Sequence, residues 1–238
     1  FCEASEAKIP VAIENGGSVD NTYTLSVNGP PWATVENAKV DVPAGEARFV
    51  NLILFPGFRV SGDFDVKVTI TPVKGITTEQ TVVANVKTCN SADLKLATTE
   101  DVVCPNTEKA YAVSLVNTGQ FDTRYSINVL GATYASADKS FVDLKAGESA
   151  DFNLILVPKD AEAGNQNIEV VAEAQDASKT KTTATLKLEI ASVDSCYGVV
   201  TSAALTSVDV APGEPALVPI IVENKGFENS TYNLEVSG

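Results

Sequence analysis

A long internal repeat constrains the fold of this chain more than any other feature of its sequence. The run Asn51-Leu52-Ile53-Leu54 returns 102 positions later as Asn153-Leu154-Ile155-Leu156. A further shift of 107 positions brings back part of the upstream pattern, including an Asn-x-Gly triplet that begins at Asn15, Asn117 and Asn224. The sequence therefore predicts tandem copies of one unit, at residues 1–90 and 91–197, with the N-terminal part of a third at 198–238.

Short runs of alternating polar and apolar residues, separated by turn residues, fill each unit. Residues 22–27 alternate in this way and end at Asn28-Gly29-Pro30-Pro31, which is typical of a half-buried strand. The complete second unit is expected to hold seven strands and no convincing helix, with the strands near 92–102, 110–116, 123–129, 141–142, 150–157, 167–174 and 182–190. This spacing predicts an all-β fold of tandem immunoglobulin-like sandwiches.

The two terminal units are each expected to lack strands. In the given sequence only Phe1 precedes Cys2, so the first unit is expected to lack its opening strand, and the third is expected to have its opening strand and strands at 216–223 and at 231–237 but to lack the other four. Two explanations are consistent with this pattern. Either the chain is a window of a longer array, or its ends complete one another between molecules by strand addition.

The four cysteines occupy repeat-equivalent positions. Cys2 and Cys104 open their units, whereas Cys89 and Cys196 close them. Of the three connectivities that four cysteines allow, the repeat favours Cys2 with Cys89 and Cys104 with Cys196. Stable bridges indicate an oxidising, extracellular setting, and a zinc site is disfavoured because there is no CxxC spacing and no His.

Composition narrows the function classes. The net charge of −14 is spread along the array, which argues against a nucleic-acid partner. There is no His for common acid–base or triad chemistry, and no apolar run reaches the roughly 20 residues of a membrane span. With no Met anywhere, we expect a mature or internal portion of a longer secreted product.

A few side chains could form a contact or a site. Trp32, Phe55 and Phe58 are a candidate contact surface, although Trp32 could instead seal the end of a core. Asn229 begins an Asn-Ser-Thr acceptor for N-glycosylation. The acidic pairs Asp63/Asp65 and Asp160/Glu162 are interpreted as solvated surface; a calcium site between acidic loops has no supporting motif, and no cofactor is expected.

The pattern resembles a known family. A strand, Asn-x-Gly and Tyr-x-hydrophobic-x-Val-x-Gly, at 14–29 and 116–131, is similar to the opening half of immunoglobulin-like repeats in archaeal and bacterial surface proteins. The stretch 157–165 resembles the proline-to-glycine turn of the related domain found beside alpha-galactosidases, and together these motifs are CARDB-like. The resemblance implies surface-layer proteins, filaments, adhesins or spacers, without catalytic residues; the paired cysteines depart from its usual cysteine-free pattern.

These observations favour a non-catalytic structural repeat of an extracellular surface filament or surface layer, and not an enzyme. Its expected partners are copies of itself or further repeats of the same parent chain, with a glycan as an additional partner. The alternative is an adhesin or a carbohydrate-binding or spacer module of a larger secreted protein.

Overall fold

A computed structural model describes residues 1–159 and 162–237. Asp160 and Ala161, which belong to the predicted proline-to-glycine turn, and Gly238 lie outside the described residues. The chain divides into two compact units, Phe1–Asn90 and Ser91–Gly238. The start of a separate third unit at residue 198 stays a prediction, because that segment groups with the second unit.

The first unit is a sandwich of two antiparallel sheets. One sheet has the order β1-β5-β3 and the other the order β4-β2-β6-β7. The strands are β1 (Ala7–Glu14), β2 (Asn21–Asn28), β3 (Ala33–Val35), β4 (Lys39–Val42), β5 (Ala47–Leu54), β6 (Gly62–Pro72) and β7 (Thr78–Val86).

The second unit repeats this arrangement and adds a strand to each sheet. The sheets have the orders β12-β14-β10-β8 and β13-β11-β15-β16-β9. The strands are β8 (Ala92–Leu96), β9 (Glu100–Val103), β10 (Lys109–Asn117), β11 (Thr123–Leu130), β12 (Ala135–Ala137), β13 (Phe141–Leu144), β14 (Ser149–Leu156), β15 (Gly164–Ala174) and β16 (Lys181–Ile190). Both units are immunoglobulin-like sandwiches, so the predicted all-β fold is confirmed.

The repeated Asn-Leu-Ile-Leu run lies on the central strands β5 and β14. Leu52 and Leu54 are fully buried between the sheets of the first unit, and Leu154 and Leu156 are fully buried in the second. The alternation of these leucines with half-buried or exposed neighbours follows the period of two of a strand, in which successive side chains point to opposite faces.

The opening strand of the second unit differs from its prediction. The sequence predicted one strand over 92–102, whereas the structure has β8 antiparallel to β10 on one sheet and β9 parallel to β16 on the other. Residues 97–99 carry the chain from one sheet to the other. Because the chain changes sheets, one short segment covers one edge of each sheet.

A short helix also differs from the prediction. Helix α1 (Val193–Tyr197) follows β16, and the Ser192 hydroxyl caps it by accepting the Ser195 N–H. The sequence predicted no convincing helix in this unit. The five residues of α1 are too few to show a helical period, so only the serine cap could have indicated it.

The last described segment forms one small sheet. Strand β17 (Val199–Ala203) pairs with β18 (Ile220–Asn224) in antiparallel orientation. The strand predicted at 231–237 is not formed. Its repeat equivalents β2 and β11 each have two neighbouring strands, and no described residue provides such neighbours here.

Candidate functional site: the open edge of the first unit

Each unit is closed by one disulfide. Cys2 is bonded to Cys89 with Cα atoms 5.6 Å apart, and Cys104 to Cys196 with Cα atoms 5.7 Å apart. This is the pairing that the repeat favours. Two such bridges are typical of secreted and extracellular proteins, because the cytosol keeps thiols reduced.

The first unit leaves open the edge that the second unit covers. In the second unit β8 pairs along β10, whereas the equivalent strand β1 pairs only with β5 among the described residues. On the opposite sheet, β9 pairs along four residues of β16, but the first unit keeps only a single bridge between Cys2 and Lys87. Among the described residues, the first unit therefore has two uncovered sheet edges that are covered in the second unit, of which that of β1 is the longer.

The backbone of β1 presents hydrogen-bonding groups along this edge. The Asn15 N–H donates to the Glu46 carbonyl of the neighbouring turn at 2.9 Å. The backbone N–H and carbonyl groups of the odd-numbered residues of β1 therefore point toward β5. The even-numbered residues point the other way, because backbone groups alternate along a strand. Ala12 and Glu14 each present an N–H and a carbonyl at the free edge, and Pro10 presents a carbonyl only.

The core of the first unit is correspondingly less covered beside this edge. Tyr23, Ile70 and Val82 are half-buried, whereas their repeat equivalents Tyr125, Ala172 and Leu186 are 2%, 0% and 0% exposed. In the second unit the same region is covered by Leu94 of β8, which is 5% exposed and lies opposite Leu115.

A cavity marks the uncovered region. Its volume is about 370 Å³, and its lining includes Ile13, Tyr23, Ile70 and Ile76. Ile13 is the repeat equivalent of Leu115, so the cavity lies where a strand like β8 would place its apolar side chains. Ile76 is 87% exposed at the rim. The open edge is therefore a groove with both apolar and polar walls, the polar ones including Glu14, Asn21 and Lys74, bordered by unpaired backbone groups.

A buried asparagine fixes the end of the strand that carries this edge. Asn15 donates from Nδ2 to the carbonyls of Val19 and Val42, at 2.9 and 3.0 Å, and its Oδ1 accepts the Gly17 N–H at 3.1 Å. Asn117 makes the same three bonds in the second unit. The sequence shows the Asn-x-Gly repeat but not this role, which depends on the carbonyl 27 residues downstream.

The third copy of this arrangement is incomplete. Asn224 donates to the Glu228 carbonyl at 2.8 Å and accepts the Gly226 N–H at 2.9 Å. The bond equivalent to that between Asn15 and Val42 is not made among the described residues. Asn224 is exposed, while its two counterparts are buried.

Electrostatic contacts hold the covering strand β9 of the second unit in place. Asp101 of β9 accepts the Tyr111 hydroxyl of β10 at 2.9 Å and lies 3.4 Å from Lys109 Nζ. Burial raises the pKa of Asp101, but the bonds from Tyr111 and the Val102 N–H, together with Lys109, outweigh it and hold the pKa below its usual range. Burial and the bond to Asp101 raise the pKa of Tyr111 well above its ordinary value. The equivalent of Tyr111 in the first unit is Ile9, which cannot make such a contact.

The three predicted contact residues differ in exposure, and their role as a contact surface stays a prediction. Trp32 is half-buried against the core and meets the Phe64 ring edge-to-face, with centroids 5.2 Å apart. Phe55 is 56% exposed and Phe58 is half-buried. Trp32 thus has the packing of a residue that seals the end of a sandwich core.

The remaining predicted positions are Asn229 and the two acidic pairs. Asn229 is exposed in an irregular segment after β18, and its glycosylation stays a prediction. Asp63 accepts a hydrogen bond from the Asn85 amide on the solvent side of β6 and β7. Asp160 lies outside the described residues, so its pairing with Glu162 cannot be described. Within the described ranges, no group of three or more Cys, Asp or Glu could hold a metal ion, and no helix is long and apolar enough to cross a membrane.

Comparisons with known proteins give only weak likenesses. No protein-family model matches the chain, and no curated protein matches it. Among solved structures, an endo-fucoidan hydrolase of glycoside hydrolase family 107 has 11% identity and a TM-score of 0.30; the match covers 81% of this chain but only 27% of that one. A FixG-related protein from Vibrio parahaemolyticus has 13% identity and a TM-score of 0.35, covering 43% of this chain and 96% of that one.

Domains 4 and 5 of the S-layer protein SbsC have 15% identity and a TM-score of 0.31, with 71% of this chain and 77% of that one covered. At such scores these likenesses carry no argument about activity or partner. The assignment of an immunoglobulin-like sandwich rests on the strand order and register described above.

Proposed function

We propose that this chain is a non-catalytic structural repeat of an extracellular surface assembly, a filament or a surface layer, whose subunits join by strand addition at β1. The observation that carries the proposal is the difference between two copies of one fold. The second unit covers its groove with β8, and the first presents the same groove open.

The physical argument begins with the backbone. An edge strand exposes N–H and carbonyl groups that can template another strand, and natural proteins usually protect such edges with charges, prolines or bulges. On β1 the side chains at the free-edge positions are Lys8, Pro10, Ala12 and Glu14. The edge therefore carries a charge near each end and a proline, and Ala12 is its one small uncharged position, beyond Pro10, where an incoming strand could pair.

The groove beside β1 also contains half-buried apolar side chains that an added strand could cover. An added strand of about five residues, like β8, would place alternate side chains between the sheets and the others outward. It would cover Tyr23 and Ile70, which are half-buried. The apolar surface removed from water would stabilise the complex by about 25 cal/mol per Å². Main-chain hydrogen bonds would supply affinity and the groove would supply specificity, as in other cases of strand addition.

The test compares two substitutions at one residue. Ala12→Pro removes the N–H that points to the free edge while leaving the bonds from β1 to β5 unchanged, so we expect it to abolish concentration-dependent assembly. Ala12→Ser is the matched control, because Ser114 is the residue at this position in the second unit. Light scattering and negative-stain images of the two variants measure the effect.

The proposal is wrong if the unsubstituted chain and Ala12→Ser remain monodisperse monomers at every concentration tested. It is also wrong if Ala12→Pro assembles as well as they do while remaining folded by Trp32 fluorescence. A persistently monomeric chain would favour the alternative of an adhesin or a carbohydrate-binding spacer.

A further inference from the structure

The strand β1 is closer in sequence to β18 than to β10. Residues 7–17 and 216–226, 209 positions apart, share five identical residues: Ala7 with Ala216, Pro10 with Pro219, Glu14 with Glu223, Asn15 with Asn224, and Gly17 with Gly226. Positions 9, 11 and 13 are aliphatic in both segments. In contrast, β10 has Ala112 in place of the proline. A strand that pairs with β18 should therefore also suit β1.

The partner of β18 is known from the structure. β17 pairs with β18 so that Val199 lies opposite Asn224 and Thr201 opposite Val222. β8 pairs with β10 in the same register, with Ala92 opposite Asn117. Both residues of that pair lie 107 positions before Val199 and Asn224. One register thus serves both observed copies of this strand pair.

The shared proline is compatible with this pairing. In the second unit the Ala97 N–H donates to the Ala112 carbonyl at 3.0 Å, and in the last segment the Ala204 N–H donates to the Pro219 carbonyl at 3.1 Å. Only the carbonyl of that position is used, and proline retains its carbonyl. Pro10 therefore leaves the required acceptor in place on β1 and limits the added strand to the residues beyond it.

Among the described residues, β17 pairs with no strand other than β18. All five of its residues are exposed, and Ile220 and Ile221 of β18 are 55% and 57% exposed. An isolated two-stranded sheet is marginally stable in water at best. Transfer of β17 from β18 to β1 would exchange this exposed pairing for one beside a packed sandwich core.

Charge favours the same transfer. Residues 195–208 carry no charged side chain in a chain of net charge −14. The repeat equivalent of β17 is β8, which carries an ion pair on its outward face, with Lys95 Nζ 2.8 Å from Asp93. Charged side chains of this kind discourage unwanted strand pairing. The corresponding residues of β17 are Val200 and Ser202. β17 thus lacks the protection that β8 has.

We propose that β17 of a second copy of this chain adds to β1 in antiparallel orientation, in the register of β8 on β10. Thr201 then lies opposite Ile13, Ser202 lies opposite Ala12, and the Ala204 N–H donates to the Pro10 carbonyl. Val199, Thr201 and Ala203 cover the cavity. This assignment rests on the proposed assembly function and specifies its occupant, its direction and its register. Addition of a strand from one molecule to an exposed sheet edge of another is a known mode of association.

Cysteine pairing across the new edge tests the register. The variants Ala12→Cys and Ser202→Cys are made in separate chains and mixed under mild oxidation. Opposed residues of an antiparallel pair have Cα atoms about 5.5 Å apart or closer, which is within the range for a disulfide. We expect a mixed dimer in which non-reducing peptide mapping joins residue 12 of one chain to residue 202 of the other.

The matched control is Lys8→Cys mixed with Ser202→Cys. Lys8 is exposed on the same side of β1 as Ala12, but four residues along the strand, or about 13 Å. We expect at least a tenfold lower yield of mixed dimer from this pair. Trp32 fluorescence checks that each variant is folded.

The outcomes separate the two proposals. Equal yields from the two pairs, with assembly still seen by light scattering, would overturn the assignment of β17 and its register but not the proposed function. A disulfide formed within one monomer carrying both Ala12→Cys and Ser202→Cys would overturn the second copy as the source. Absence of both assembly and cross-linking would overturn the function and the inference together.

Discussion

The buried asparagine of the first unit allows a quantitative prediction. Asn15 is 4% exposed and makes three hydrogen bonds, two of them to carbonyl groups. Its replacement by Ala removes all three and leaves the carbonyl of the buried Val42 without this donor. An unsatisfied buried group costs about 1–3 kcal/mol and each further lost bond about 1 kcal/mol. We therefore expect Asn15→Ala to lower the free energy of unfolding of this unit by about 3 kcal/mol.

The only Trp provides a specific assay for this effect. Trp32 packs against Phe64 in the core of the first unit, so its fluorescence reports unfolding of that unit in urea. With a slope of about 1.5 kcal/mol per molar urea, the transition midpoint should fall by about 2 M.

Two equivalent substitutions serve as controls. Asn117→Ala removes the same three bonds in the second unit and should leave the Trp32 transition in place. Asn224→Ala removes only two bonds from an exposed residue and should cost less than about 1 kcal/mol. The reasoning is refuted if Asn15→Ala shifts the midpoint by less than about 0.5 M, or if Asn117→Ala shifts it equally.

Three further predictions concern the second unit. Replacement of both Cys104 and Cys196 by Ala opens a 92-residue loop and should lower the free energy of unfolding by about 4–5 kcal/mol; calorimetry should show a lower transition for this unit alone. Ala112→Pro should cost less than about 1 kcal/mol because only the carbonyl is used there, whereas Ser114→Pro removes an N–H that faces β8 and should cost about 1–3 kcal/mol, as measured by urea denaturation followed by circular dichroism. Because folding raises the pKa of Tyr111, its stabilising effect is complete below the unfolded pKa of about 10 and is lost as the pH rises above it; Tyr111→Phe should flatten the decline in Tm between about pH 9 and pH 11.

Much of the fold could be predicted because the period of two and the turn residues are local signals. The strand at 22–27 is an example, since its alternation and its Asn-Gly-Pro-Pro terminus identify it without knowledge of its neighbours. The split of 92–102 into β8 and β9 could not be predicted, because both halves alternate in the same way and only contact with two different sheets separates them. The segment 231–237 shows the reverse effect: its alternation predicts a strand, but a strand also needs a hydrogen-bonded neighbour.

The candidate site was predictable in outline. Comparison of the units indicated that the first lacks an opening strand, and the structure locates the resulting groove beside Ile13 and Tyr23. The use of the carbonyl at Pro219 could not be inferred from composition, since proline in a strand ordinarily indicates an edge that does not pair further. That position became interpretable only once the donor, the Ala204 N–H, was located.

The disulfides have a consequence for how the array would carry tension. Cys2 and Cys89 enclose almost all of the first unit in sequence, yet their Cα atoms are 5.6 Å apart. A force applied along the chain would pass directly through the sulfur–sulfur bond and bypass the sandwich between the two cysteines. The enclosed 87 residues could otherwise extend by about 300 Å on unfolding. The segment between the two cysteines of each unit therefore could not extend, and the compliance of such an array would lie in its non-covalent joints and in segments outside the bridges, such as β8 and β9 before Cys104.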